Sequence, residues 1–346
     1  MTRSVASARR RRDACAPMST FPRRRVFEQP VKPQRNHMPE ISIIMPAYNT
    51  GMYIAKAIDS VLAQTFADWE LIIVNDGSAD DTLDVAKGYA AIDKRIRIIE
   101  QKNAGLAVAR NNALRIARGE WIGFVDSDDT IDSDFYDKLL AAAKNANADI
   151  AIARMFVTEK FYGFIKPGVY TGFAKKISIF PNGSCCDKLF YARLIQENGI
   201  EFPAGLYFED VLFLICAAFY ANKIVSINDT FYNYRTRDNS IIRTASEAMI
   251  AKRNADKLII ANMIFDFAYE RAKDKKTRNE INEFVMRCIL EKSVMKNWQC
   301  LPPEFIKWAK WHKFVKFFYD NNVSRRGKIR KIRIFRIPVY ITRSNT

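Results

Sequence analysis

Histidine is nearly missing from this chain of 346 residues: only His37 and His312 occur. The six cysteines, Cys15, Cys185, Cys186, Cys216, Cys288 and Cys300, include no C-x-x-C pair. Together these shortages exclude a zinc site of the usual Cys/His spacing. The adjacent Cys185 and Cys186 are expected to stay reduced, because a vicinal disulfide is strained and no export feature accompanies them. Long apolar runs are absent too. The longest strongly apolar stretch, Val211 to Ala221, has 11 residues, well short of the roughly 20 that a membrane-crossing helix needs. Glycine (13) and proline (12) are sparse while 49% of the residues are hydrophobic. That balance excludes collagenous and globally disordered chains and provides for a sizeable core. The length suits one large domain with an appendage, or two modest domains.

The formal net charge of +17 invites a nucleic-acid reading until it is divided along the chain. Residues 1–40 hold ten Lys and Arg against Asp13, Glu28 and Glu40, and residues 301–346 hold twelve against Glu304 and Asp320. Residues 41–300 carry 33 of each sign. A neutral middle is not a polyanion-binding body, so no nucleic-acid partner is expected. Residues 1–40, with Arg9 to Arg12 and Arg23 to Arg25 and no apolar period, read as a disordered basic leader. The leader lacks the 7–15-residue apolar stretch of a secretory signal, and its Arg-rich, acid-poor character also fits an organelle transit peptide. Met18 and Met38 are alternative starts, which would make part of the leader an artefact.

From residue 41 short β-branched runs alternate with helical periods, the mark of an α/β layer structure with a mostly parallel sheet. Strands are predicted at Ile41–Met45, Glu70–Val74, Arg97–Glu100 and Trp121–Val125. Helices are predicted at Met52–Gln64, Asp80–Tyr89 and Leu106–Ala117. A further helix and a strand near Asp149–Ala153 follow, then an irregular stretch to residue 184. Helical periodicity runs from about 247 to 320, with a break at Leu301-Pro302-Pro303. The expected organisation is a leader over 1–40, a catalytic domain over 41–245 and a helical, basic region over 246–346.

Three polar clusters each follow an apolar strand: Pro46-Ala47-Tyr48-Asn49, Asn75-Asp76-Gly77-Ser78 and Asp126-Ser127-Asp128-Asp129. In open α/β sheets ligands bind outside the carboxyl ends of the strands, so the three clusters are expected to form one site. Each alone would be an ordinary turn and helix cap. Several carboxylates beside one apolar strand repel one another unless a cation sits among them. Oxygen ligands at this density suit Mg²⁺ or Mn²⁺, which take one or two carboxylates and the oxygens of a diphosphate.

These clusters, with Ala57 to Thr65, Val74 to Thr82, Asn103 to Asn111 and Phe124 to Asp129, occur in an order and spacing that resembles glycosyltransferase family 2. The resemblance continues through Cys186-Asp187-Lys188-Leu189-Phe190, Ile200 to Pro203, Tyr207 to Val211 and Tyr232 to Arg235. It implies an α/β, GT-A nucleotide-diphospho-sugar transferase fold with a mixed, Rossmann-like sheet, and a helical C-terminal extension. It implies that Pro46, Tyr48, Asn49, Asp76 and Ser127 cradle the nucleotide-sugar, with UDP favoured and Asp76 reading the base edge. Asp126 and Asp128 match the family's D-x-D pair, the second as the direct metal ligand. Glu209-Asp210 matches a Glu-Asp pair whose aspartate is the general base, and a carboxylate among apolar neighbours gains basicity. The bland alternative for that pair is an acidic helix start that complements the dipole. Arg235 and Ser240 lie where some relatives approach the diphosphate. Asp238 stands where some relatives place a histidine, and Lys188 reads equally as a structural ion-pair partner.

The implied activity is an inverting, metal-dependent transfer from a nucleotide-diphospho-sugar to a glycan or polyprenyl-linked acceptor in bacterial exopolysaccharide, capsule or lipopolysaccharide synthesis. A processive synthase is disfavoured, since no Q-x-x-R-W motif is present. A nucleotidyltransferase would want a Gly-rich phosphate loop near the first strand, which is missing. The remaining alternative is a non-catalytic basic protein that binds membrane or nucleic acid on a degenerate transferase fold. Over Glu304–Tyr319 aromatic residues share about half a helical wheel, and Ser324–Arg343 holds a basic run. This region reads either as a helix packed on the catalytic domain or as an anchor on anionic lipid. The expected location is the cytoplasm, with attachment at the inner membrane's cytoplasmic face.

Overall fold

The structure, a computed structural model, describes residues 38–157, 160–162, 165–180, 183–236 and 246–289, with short pieces at 303–304, 306–307, 330–334 and 337–341. Seven elements open the chain: β1 (Ile41–Ala47), α1 (Gly51–Leu62), β2 (Trp69–Asn75), α2 (Thr82–Ile92), β3 (Ile96–Glu100), α3 (Leu106–Ile116) and β4 (Trp121–Phe124). Next come β5 (Thr130–Ile131), α4 (Phe135–Ala146), β6 (Ile150–Val157), β7 (Lys160–Tyr162), β8 (Gly168–Tyr170), α5 (Phe173–Ser178), β9 (Lys188–Tyr191) and α6 (Ala192–Gln196). Last are α7 (Glu209–Tyr220), β10 (Ile224–Tyr234), α8 (Glu247–Arg271), α9 (Lys275–Cys288), β11 (Arg330–Ile334) and β12 (Ile337–Ile341).

The main sheet has the order β3-β2-β1-β4-β9-β6-β10-β5. Its first four strands are parallel, as the alternation of strand and helix requires, because parallel neighbours need a crossover. Every residue of β1 and β2 is buried, and such continuous apolar strands belong in a sheet covered on both faces. Beyond β4 the sheet turns mixed: β9 runs antiparallel to both β4 and β6, and β10 is parallel to β6. The parallel first half therefore matches the expected parallel sheet, and the second half adds antiparallel strands too short to show a period.

Registers place the strand ends together. Ala47 pairs with Asn75 and Ile44 with Phe124, so β1, β2 and β4 finish on the same side of the sheet. The Asp76 N–H donates to the Ala47 carbonyl at 2.9 Å, and the Val125 N–H to the Ile44 carbonyl at 3.0 Å, which carries the ladder into the polar clusters. Under that edge lies an aromatic group in which Phe202 stacks on Phe213 at 4.1 Å while Phe124 meets both rings edge-on. Such pairs add specific geometry to the burial of large apolar area.

Among the boundaries that differ from the sequence expectation, two follow from specific contacts. α2 starts at Thr82 and not Asp80, because the Asp80 carboxylate is spent on the Gly51 N–H (2.9 Å) and on Thr82. β6 extends to Val157 because its far half pairs with β10 and β7. The C-terminal extension is helical over α8 and α9, but its last described segment is an antiparallel strand pair, β11 with β12. The alternation in Lys331-Ile332-Arg333-Ile334 has the period of a strand, which the helical reading passed over. The Glu304–Tyr319 wheel lies largely outside the described residues. No described helix is long and apolar enough to cross a membrane.

Candidate active site

The connections after β1, β2 and β4 are tied to one another by short polar side chains. Asn49, at φ 50°, donates its N–H to Ser78 Oγ (3.0 Å), and its Oδ1 accepts from the Ala79 N–H (2.8 Å). Asn tolerates this left-handed backbone better than most residues. The Thr50 hydroxyl donates to Ser127 Oγ at 3.0 Å, and the Thr50 N–H donates to Thr82 Oγ1 at 2.8 Å. Pro46 is buried in β1, Tyr48 is half exposed, and Ser127 is buried. Asp76 is buried as well, its two carboxylate oxygens accepting from the Ala104 N–H (2.8 Å), the Gly105 N–H (2.9 Å) and Gln101 Nε2 (2.7 Å). It thereby joins the end of β2 to the start of α3.

The loop after β4 concentrates negative charge. Asp129 is buried, accepting from the Tyr232 hydroxyl at 2.8 Å and from the Arg235 N–H at 2.7 Å. Burial and then the charges of Asp126 and Asp128 push its carboxyl up to about 8, against the pull of those hydrogen bonds. The same Tyr232 hydroxyl accepts from the Asp126 N–H at 3.1 Å. Arg235 is exposed, and its Nε donates to the Asp128 carbonyl at 3.2 Å. The structure thus brings Arg235 to the acid loop. Ser240 and Asp238 lie outside the described residues.

Glu209 and Asp210 open α7, and they meet the acid loop through a residue to which the sequence reading gave no role. Arg110, on α3, has a side chain only 2% exposed. Its Nη2 donates to Asp126 Oδ1 at 2.9 Å, and its Nη1 donates to Asp210 Oδ1 at 2.6 Å and to Glu209 Oε1 at 3.3 Å. One guanidinium therefore joins three carboxylates from two distant segments, the planar fork being suited to several acceptors at once. It also lies 5.3 Å from the centroid of the Phe202 ring. Its neighbour Asn111 donates to the Phe202 carbonyl (2.8 Å) and accepts from the Phe202 N–H (2.9 Å). The available signal was Ala109-Arg110-Asn111, a basic and an amide residue following the small-residue start of α3.

Asp210 Oδ2 accepts from the Cys185 N–H at 3.2 Å, while its side chain keeps 17% of its surface exposed. Burial raises its carboxyl above the ordinary value, Arg110 opposing and Asp126 reinforcing the shift. Burial and the neighbouring Asp210 push Glu209 up to about 7, against Arg110. Both directions raise the basicity of the pair. Cys185 and Cys186 are free and buried. Lys188 is fully buried, with Nζ 2.5 Å from Asp187 Oδ1 and 2.5 Å from the Ser184 carbonyl, as an ion-pair partner would be.

Among the described residues no group of three or more His, Cys, Asp or Glu is arranged to hold a metal ion. The donor set nevertheless fits a hard divalent cation that keeps waters and takes diphosphate oxygens, since such ions use one or two carboxylates. Asp126 and Asp128 would supply them, and the raised Asp129 carboxyl marks the excess of negative charge in that loop.

Parallel strands that end in acid-bearing loops, faced by a carboxylate pair on a second segment, fit the sugar-transferase class of site that the sequence resemblance implies. The sequence model described as Glycosyl transferase family 2 matches residues 42–197. Glycosyltransferase GlyG of Streptococcus pneumoniae serotype 4 is 31% identical over 220 residues, which cover 59% of this chain and 73% of that protein. Glycosyltransferase GlyA of the same organism is 31% identical over 245 residues, covering 65% of this chain but only 35% of GlyA, so the chain spans about a third of that relative. The structure of S. aureus TarS 1-349 in complex with UDP-GlcNAc shares the fold, with a TM-score of 0.57 at 20% identity, over 89% of this chain and 100% of that one. The chain belongs to glycosyl transferase family 2 and is a glycosyltransferase with the GT-A fold.

Proposed function

We propose that this enzyme is an inverting transferase that moves a sugar from a nucleotide-diphospho-sugar, with UDP as the nucleotide, to a glycan or polyprenyl-linked acceptor of a bacterial surface polysaccharide. The observation that carries the reading is the contact of Arg110 with both Asp126 and Asp210, which couples the acid loop to the expected base. In the proposed step Asp210 takes the proton of the acceptor hydroxyl, whose oxygen bonds to the anomeric carbon as that carbon's bond to the diphosphate breaks. Glu209 shares the guanidinium with Asp210, and its raised pKa lets it relay or hold that proton. Tyr48 and Asn49, with Asp76 and Ser127 behind them, bound the nucleotide, and Pro46 shapes the floor. Arg235 faces the same loop and would grip phosphate oxygens, as Ser240 would from its flanking segment. Mn²⁺ or Mg²⁺, held by Asp126 and Asp128, would neutralise charge on the departing diphosphate.

The TarS structure solved with UDP-GlcNAc supports a nucleotide-sugar donor through the shared fold. The basic run over 325–343 supports attachment to an anionic membrane surface at the cytoplasmic face. The test is nucleoside-diphosphate release from a panel of UDP-, dTDP- and GDP-sugars with Mn²⁺ or Mg²⁺, using the full chain, Asp128→Ala and Asp210→Asn. Metal-dependent turnover of one donor, lowered about 10²–10⁴-fold in Asp210→Asn, is the expected result. Turnover that survives in Asp210→Asn would remove the base assignment, and metal-independent turnover that survives in Asp128→Ala would remove the metal site.

A further inference from the structure

The catalytic pair stands directly after a strained residue. Phe208 has φ 66° and ψ 27°, the left-handed region, and it is the N-cap of α7. A bulky L-residue there is a true outlier. Such a conformation persists only where the surroundings over-determine it, so the contacts on this turn decide where the pair sits. The turn approaches from Gly205, itself at φ 73°, and the Val211 N–H closes back on the Phe208 carbonyl at 3.1 Å.

The grip on this turn comes from α8, which lies beyond the 42–197 match. Asp256 is 3% exposed, and its Oδ2 accepts from the Tyr207 N–H at 2.9 Å and from Lys252 Nζ at 2.7 Å. The same ammonium donates to the Gly205 carbonyl at 3.1 Å. Lys257 Nζ lies 5.1 Å from the Phe208 ring centroid, while Lys252 and Arg253 lie 5.3 and 5.5 Å from that of Tyr207. Residues 252, 253, 256 and 257 share one helical face, and that face holds the backbone and both rings of the turn.

We infer that Asp256 is a positioning residue for the catalytic pair: by accepting the Tyr207 N–H it fixes the left-handed Phe208 and so aims Asp210. The functional consequence rests on the reading of Asp210 as the base. If Asp256 only packed α8 onto the domain, its loss would loosen the whole molecule evenly. A positioning role predicts instead a local release at the start of α7, with donor binding at the strand ends intact. A misplacement of about 1 Å costs on the order of 10²-fold in rate.

The experiment uses the full chain with Asp256→Ala, Asp256→Asn and Asp210→Asn. It reads amide hydrogen exchange by peptide, UDP affinity with Mn²⁺, and nucleoside-diphosphate release from an equimolar mixture of UDP-, dTDP- and GDP-sugars. In Asp256→Ala, exchange over 207–211 should rise about tenfold or more relative to 70–76, UDP affinity should stay within about twofold, and release should fall about 10- to 100-fold. Asp256→Asn, whose amide oxygen still accepts the Tyr207 N–H, should restore exchange and release. Unchanged exchange over 207–211, an equal rise over 70–76, or an Asn variant no better than Ala would each overturn the inference. Retained release in Asp210→Asn would sink the base reading alone, since the exchange pattern judges the role of Asp256 without it.

Discussion

The two halves of the site are held in place by different physics. The proposed donor half sits on β1, β2 and β4, whose ends are aligned by parallel backbone ladders and whose loops are cross-tied by Asn49, Thr50 and Ser127. The proposed base half begins a helix after a strained residue, and it is held by side chains from far along the chain. Arg110 reaches Asp210 across 100 positions, and Asp256 reaches Tyr207 across 49. A ladder spreads its hold over many bonds, so single side-chain changes there are buffered. An ion cluster concentrates its hold in one residue.

The largest test of that contrast is Arg110→Ala. Removing the guanidinium leaves Asp126, Glu209 and Asp210 facing one another with burial already raising the latter two, and breaking a buried ion pair costs about 3–5 kcal/mol. A loss below about 1 kcal/mol in denaturant melts would erase the distinction between the halves. Next comes Gly119→Ala at the amino end of β4. A Cβ there would lie 2.3 Å from the Ser42 backbone nitrogen, which the β1–β4 pairing prevents from moving aside. The expected cost is about 1–3 kcal/mol, with the rate per folded molecule unchanged, because the site is at the other end of the strands. A fall in that rate would mean the ladder transmits strain after all.

The smallest effect is pH-dependent. Glu70 on β2 is 2% exposed. Burial alone would raise its carboxyl, but bonds from Arg118, Ser42 and Arg97 outweigh it and hold the pKa below the ordinary value. Its contribution is therefore present above the unfolded-state pKa and is lost as pH falls through the folded one. Glu70→Gln should cost about 1–2 kcal/mol at pH 7, on the scale of hydrogen bonds to charged groups. The gap from the parent should close on acidification below about pH 4. A gap that stays constant with pH would assign the effect to packing.

The same contrast decides what the sequence could disclose. The first four strands announce themselves as β-branched runs, and their polar endings fall together because parallel strands must end on one side. β9 does not, since four residues held antiparallel between β4 and β6 display no period of their own. At the site, Asp126, Asp128, Glu209 and Asp210 were legible as carboxylates in suggestive company. The guanidinium that joins Asp126 to Glu209 and Asp210 was not, because Ala109-Arg110-Asn111 marks polar residues on a helix without naming partners 16 to 100 residues away. Nor was the engagement of Asp76 with the start of α3, which depends on the close approach of two loops.

The reliance of the acid loop on β10 also sets an order of events in synthesis. Asp129 receives its hydrogen bonds from Tyr232 and Arg235, 103 and 106 positions downstream. A nascent chain emerging from the ribosome can close the β1–β2–β3 ladder early, since those contacts are short in sequence. It must then wait, with a carboxylate lacking its partners beside an apolar strand, until β10 has been made and threaded beside β6. Pairing at such separations is slow, because loop-closure entropy is paid before the contacts are gained. The acid loop after β4 should accordingly be the last part of the sheet to mature, and truncated chains the species most prone to aggregate.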